Sequence, residues 1–145
     1  MSDTFPGPAK KVLGRTGLEV SEIAFGGIPV MRLGKPEGAE LVREVIERGI
    51  TFIDTAYVYG DSEEKIGKAL EGTDRGNLVI SSKSPARDGA TFRKHLETSL
   101  KRLGTDYFDV YHLHNISKRE EIDGVLEKGG AVEELRRALD EDLVR

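Results

Sequence analysis

The sequence contains no cysteine, which excludes disulfides, thiolate metal ligands and a cysteine nucleophile from this chain. No apolar stretch approaches the roughly 20 residues that a membrane-spanning helix requires. Concentrated charge is missing as well. The 22 Lys and Arg are interspersed among 26 Asp and Glu, for a net charge of −4. A nucleic-acid face needs its basic residues gathered on one surface, so that class of partner is not expected. The opening residues, MSDTFPGPAK, lack the charged-then-apolar pattern of a secretory signal, and residues 1–10 read as a flexible tail. With neither signal nor cysteine, a cytoplasmic location is expected. The 145 residues are 37% hydrophobic and 33% charged, enough for one charge-rich domain with its own core. They fall well short of the roughly 250 residues of a complete eight-unit α/β barrel.

What is present alternates in type. KVLGRTGLEV at 11–20 sets apolar pairs around Gly14 and Gly17, the pattern of a short β-hairpin. The run IAFGG follows as a strand ending in glycines. Gly34–Lys35–Pro36 opens a helix with Leu41, Val42, Val45 and Ile46 on one face, ended by Gly49. Ile50–Ala56 reads as a strand. Asp61 with Glu64 reads as a capping box for a helix buried through Ile66, Ala69 and Leu70. Leu78–Ser82 is the next strand. A helix capped by Thr91 follows, with Phe92, Leu96, Leu100 and Leu103 on its inner face and Gly104 at its end. Phe108–Leu113 is the fourth strand. A polar connection from Asn115 to Gly130 holds a short helix begun by Ser117 and Glu120. The last helix uses Val132, Leu135, Leu139 and Leu143. Strand centres at Ile23, Phe52, Val79 and Val110 recur at roughly the length of one βα unit. Strands alternating with amphipathic helices predict a parallel sheet with right-handed crossovers.

The polar residues at the strand ends carry the chemistry. Side chains alternate across a strand, so Phe52, Asp54 and Ala56 share a face, as do Val79, Ser81 and Lys83, and Val110, His112 and His114. Facing a barrel interior, these ends meet at the carboxyl edge, where barrel folds place their sites. Asp54 and Lys83 pair by charge. The ammonium is expected to lower the pKa of nearby Tyr59 from about 10. A phenol so tuned donates a proton to a carbonyl oxygen while hydride arrives at carbon, and His114 hydrogen-bonds the same oxygen. The hydride must come from a bound donor, since no side chain supplies one. Tyr57 reads as packing or loop anchoring, and His95, on a charged helix face, receives no role.

These segments resemble a known family. GITFIDTAYVYGDSEEKIGKAL is similar to the aldo-keto reductase signature, as are KVLGRTGLEVSEIAFGG, LVISSKS and RLGTDYFDVYHLHN. The resemblance runs through nearly the whole chain after the tail. It implies that residues 11–145 form the N-terminal half of a TIM-type parallel (β/α) barrel, truncated to about four βα units, with the hairpin plugging its base. It implies a catalytic group of Asp54, Tyr59, Lys83 and His114, with Tyr59 as general acid. NADPH is implied as donor, with Gly27, Ile28 and Asp54 near its nicotinamide and a small-molecule carbonyl as substrate. His112 stands where the family more usually has Gln or Leu. In this family the second half-barrel supplies most of the dinucleotide site, so weak or absent NADP(H) binding is expected of this chain, with impaired turnover.

Two other readings compete with the enzyme. A half-barrel has open strand edges, here near Ile23 and Val110, which suit a non-catalytic fragment or interaction module, or a homodimer formed edge to edge. His112 and His114, two apart on one strand face, match part of a metal-dependent hydrolase barrel. That site needs further His and Asp ligands on other strands.

Overall fold

The computed structural model describes residues 6–145, so residues 1–5 of the predicted tail lie outside the described residues. Regular structure begins earlier than expected, at Lys10. Strand β1 (Lys10–Val12) pairs antiparallel with β2 (Glu19–Ser21). Gly14 and Gly17, at φ 53° and 75°, turn the chain between them through a region that side chains bearing a Cβ seldom adopt. Ser21 then fastens the hairpin to the segment at Thr51 and Phe52. Its Oγ accepts from the Thr51 and Phe52 N–H groups at 3.0 and 3.3 Å, and its own N–H donates to Thr51 Oγ1 at 2.9 Å.

The sheet is parallel and its order follows the chain: β3 (Phe25–Gly26), β4 (Phe52–Asp54), β5 (Val79–Ser84) and β6 (Val110–Leu113). Register places Asp54 beside Ser81 and Lys83 beside His112. Helices α1 (Lys35–Glu47), α2 (Ser62–Leu70) and α3 (Gly89–Leu103) cross between successive strands. After β6 come α4 (Arg119–Leu126) and α5 (Ala131–Asp140). This is an arc of four βα units of a parallel barrel. Ile53, Ile80 and Tyr111 pack outward into a core with Val42, Ile66, Phe92, Leu96 and Ala138. Alternation turns Asp54, Ser81, Lys83 and His112 to the opposite, inner face.

Charged side chains are buried alongside this apolar layer. Lys65 is only 2% exposed. Its ammonium donates to the carbonyls of Val30 and Leu33 at 3.0 and 2.7 Å and pairs with Asp61 at 2.6 Å. Gly38 makes room for its stem, since a Cβ there would lie 2.7 Å from Lys65 Cδ. Lys65 therefore pins the 3-10 turn Pro29–Arg32 onto α2. Glu63, fully buried, accepts from Ser82 Oγ at 2.7 Å and from Arg102 at 3.2 Å. At the amino end of the sheet, Arg75 donates to Asp109 Oδ2 at 2.8 Å and to the Leu78 and Tyr107 carbonyls. The same Asp109 oxygen accepts from the Ile80 N–H.

Several expected details differ. Ile23 is no strand centre: Ser21 Oγ bonds its carbonyl, ending the hairpin there and leaving Ile23 64% exposed. Asp88, not Thr91, caps α3, because its carboxylate reaches the Thr91 N–H at 2.8 Å. Asp61 caps through no side-chain bond, since Lys65 draws its carboxylate away. Helix α4 starts at Arg119 rather than at Ser117, with Glu121 accepting from the Ser117 and Lys118 N–H groups. Of the residues expected inward on the last helix, Val132, Leu135 and Leu143 pack half-buried against the core, but Leu139 is 44% exposed, and α5 buries Ala131, Glu134 and Ala138 most fully. The edge near Val110 is not bare throughout. Just ahead of β6, Val144 forms a single parallel bridge to Phe108.

Candidate active site

Each of the four expected residues stands at the carboxyl end of the sheet. Asp54 closes β4, Lys83 lies one residue from the end of β5, and His114 follows β6, with its N–H on the Ser84 carbonyl at 2.8 Å. Tyr59 sits in the turn after β4, where its N–H bonds Ala56 O and its carbonyl accepts from Ser62. The structure brings the four together. Lys83 Nζ donates to both Asp54 oxygens, at 2.8 and 2.7 Å, and to Thr55 O at 2.6 Å. Ser81 Oγ donates to Asp54 Oδ1 at 2.9 Å. The Tyr59 and His114 rings meet edge to face with centroids 5.7 Å apart, and Lys83 Nζ lies 5.3 Å from the Tyr59 ring centre.

Gly27 and Ile28 form the neighbouring wall. The Gly27 N–H donates to Asp54 O at 2.7 Å, and its carbonyl accepts from Ser62 Oγ at 3.0 Å. A Cβ at 27 would stand 2.5 Å from Ser62 Oγ, so the close approach requires glycine here. Phe25, Gly26, Ile28, Pro29, Asp54 and Tyr59 enclose a hollow of about 370 Å³ with Gly27. A larger groove, about 490 Å³, lies between α1 and α2 and touches none of the four residues.

A model of the Aldo/keto reductase family matches residues 22–141. The chain belongs to this family. It is 35% identical over 120 residues to the L-galactose dehydrogenase of Arabidopsis thaliana, covering 73% of this chain and 38% of that one. An aldo-keto reductase of Bacillus halodurans, solved in its holo form, superposes with a TM-score of 0.82 at 29% identity, over 95% of this chain and 48% of that one. The fold is also that of a Bombyx mori aldo-keto reductase solved with NADP, at TM-score 0.77 and 24% identity, over 96% of this chain and 49% of the other. The chain thus spans about two fifths to one half of the length of these aldo-keto reductases.

Electrostatics around this group of four residues depart from expectation at Tyr59. Its pKa is raised, first by burial and then by the Asp54 carboxylate. Asp54 lies in direct contact with Lys83, so its charge offsets the ammonium that was expected to lower the phenol. His114 and His112 are both held below the ordinary imidazole value, by burial first and by Lys83 second. His95 is lowered by burial and then by Lys94 and Arg102. All three are therefore easier to protonate when unfolded. Stability is full above the ordinary value of about 6.5 and falls as pH drops through it toward the lower folded values. Urea midpoints should decline between pH 7 and pH 5, and His112→Gln should flatten part of that slope.

Other polar residues that shape the site carry weaker signals in sequence. Ser81 orients Asp54, while Thr55 and Ser62 join at 3.0 Å behind Gly27. Thr55 and Ser62 lie within the signature segment, which was the available hint. Tyr57 stacks on His95 with ring centroids 3.7 Å apart, and the Arg102 guanidinium lies 4.7 Å from its ring centre. His95 thus has a structural part, bonding Ser84 Oγ at 2.9 Å. Among the described residues no three His, Cys, Asp or Glu side chains gather at a spacing that holds a metal ion, so His112 and His114 lack the further ligands a hydrolase site needs. Among the same residues no helix is long and apolar enough to cross a membrane.

Proposed function

We propose that this group serves carbonyl reduction, in which an aldehyde or ketone takes a proton at oxygen from Tyr59 as hydride reaches its carbon. The observation that carries the reading is the meeting of Asp54, Tyr59, Lys83 and His114 at the ends of consecutive parallel strands in a member of the Aldo/keto reductase family. When bound, NADPH supplies the hydride. Tyr59 is the general acid, and its raised pKa keeps the proton in place at neutral pH. Lys83, close to the phenol ring, stabilises the phenolate as it forms, and Asp54 with Ser81 holds the ammonium at that spot. His114, neutral near pH 7, bonds the substrate oxygen and orients it. The proton thus ends on the product hydroxyl and the negative charge on Tyr59, next to a cation.

The hollow beside Asp54 suits the ring end of a dinucleotide. Gly26 and Gly27 permit close approach, and Phe25, Ile28 and Pro29 offer apolar walls. Its lining contains no Lys or Arg, so it suits the nicotinamide and not the phosphates. Reductase activity is accordingly assigned to the polypeptide that carries the whole barrel, and only weak binding to these four units. An NMR titration of the 145-residue chain with NADPH tests this. Millimolar NADPH should shift amides at Gly27, Ile28, Asp54 and Tyr59. Shifts absent there, or confined to the groove between α1 and α2, would turn the reading toward a non-catalytic module.

A further inference from the structure

One charged side chain beside the site has no part in the chemistry above. Arg87 lies in the loop between β5 and α3, and its guanidinium collects backbone oxygens from both sides. Nη1 donates to Pro85 O at 2.9 Å, while Nη2 donates to His114 O and Asn115 O at 3.0 and 3.1 Å. Glu121, in the first turn of α4, accepts from the same Nη2 at 3.0 Å. The second Glu121 oxygen takes the Ser117 and Lys118 N–H groups at 2.9 and 3.0 Å.

Carbonyls of successive residues in an extended strand point in opposite directions. Two of them reach one nitrogen here because Asn115 adopts φ 55°, a left-handed kink directly after His114. The kink and the guanidinium fit each other, since a planar fork with five donors can serve several oxygens at once. One side chain therefore joins the loop after β5, the end of β6 and the start of α4.

We propose that Arg87 is a positioning residue for His114, fixing the backbone from which the imidazole reaches Tyr59. It acts through the main chain of residues 114 and 115 and touches no reacting atom. The functional weight of the proposal rests on the role given to His114 above, whereas the positioning itself can be measured without turnover. The charged groups around the imidazole are Lys83, Asp54 and Arg87.

The test is NMR on the 145-residue chain with Arg87→Met, which keeps the stem and removes the fork. Amide exchange at His114, Ser117 and Lys118 should quicken about tenfold, the change expected on losing charged hydrogen bonds. The His114 ring resonance should move and its titration midpoint rise, with that of His95 unmoved. Exchange in the β1–β2 hairpin should stay as it was, which shows that the variant folds. Arg87→Lys restores charge without the fork, so its His114 midpoint should return toward that of the unaltered chain while exchange stays fast. Unchanged exchange and an unmoved His114 resonance in folded Arg87→Met overturn the proposal. If that variant does not fold, the same result in Arg87→Lys does so. Loss of the reductase role, through an active Tyr59→Phe enzyme, leaves these exchange and titration results to decide the positioning by themselves.

Discussion

Tyr59→Phe slows carbonyl reduction by about 10²- to 10⁴-fold, the usual contribution of a positioned proton donor, in any preparation that oxidises NADPH with an aldehyde or ketone. The substitution is clean on geometry. Phenylalanine keeps the ring that meets His114 edge-on and faces the Lys83 ammonium. It removes only the hydroxyl, and the alkoxide formed by hydride addition then has no acid of matched position. NADPH-induced amide shifts should persist, because the wall made by Gly27 and Ile28 does not depend on the phenol proton. The measurement is kcat at saturating NADPH for the two proteins side by side. Activity retained within a few fold would remove Tyr59 from the mechanism, and with it the main reason for assigning the other three residues their roles.

Lys65→Ala is expected to lower unfolding free energy by about 3 kcal/mol, the scale of two charged hydrogen bonds lost at a buried site. The ammonium satisfies the carbonyls of Val30 and Leu33, and alanine leaves both oxygens without that donor and a void where the stem lay against Gly38. The loss should also reach the site, since the loop it pins continues from Gly27 and Ile28. Lys65→Met fills the space and restores only packing, so it should recover part of the difference. Urea unfolding monitored by circular dichroism gives the comparison. An alanine variant as stable as the parent would mean that water takes over both carbonyls at no cost, and that the lysine is a passenger in its helix.

The meeting of Asp54, Tyr59, Lys83 and His114 at one rim was legible because each ends a strand or follows one closely, and a two-residue period shows which way a strand residue faces. Alternation alone puts Asp54, Lys83 and His114 on one side, and the short turn after β4 leaves Tyr59 little room to go elsewhere. Caps were less legible. Thr91 and Asp88 are both good capping types three residues apart, and only the backbone of the β5–α3 loop decides that Asp88 starts the helix. Lys65 was invisible for a different reason. On a helix with Ile66, Ala69 and Leu70 inward it reads as a solvated neighbour, and its burial follows from Gly38 on another helix, a tertiary fact. The sign of the Tyr59 shift failed similarly. The Asp54–Lys83 pair was foreseen, but burial of the phenol, the first cause of its raised pKa, depends on how the loops close around the ring, which no local pattern shows. Arg87 gave no periodic signal at all, since its partners are mostly main-chain oxygens, which every residue possesses.

The stitching of Arg75 to Asp109, Leu78 and Tyr107 has a mechanical corollary. Strands held at both extremities behave like a plate fixed along two edges: Arg75 holds the root of β5 and β6, while Lys83 and Arg87 hold their tips. Arg145 stacks on Tyr107 at 3.5 Å and stiffens that root further. Thermal displacement in β5 and β6 should therefore stay small at both rims, so that a ligand entering there meets a wall already in place.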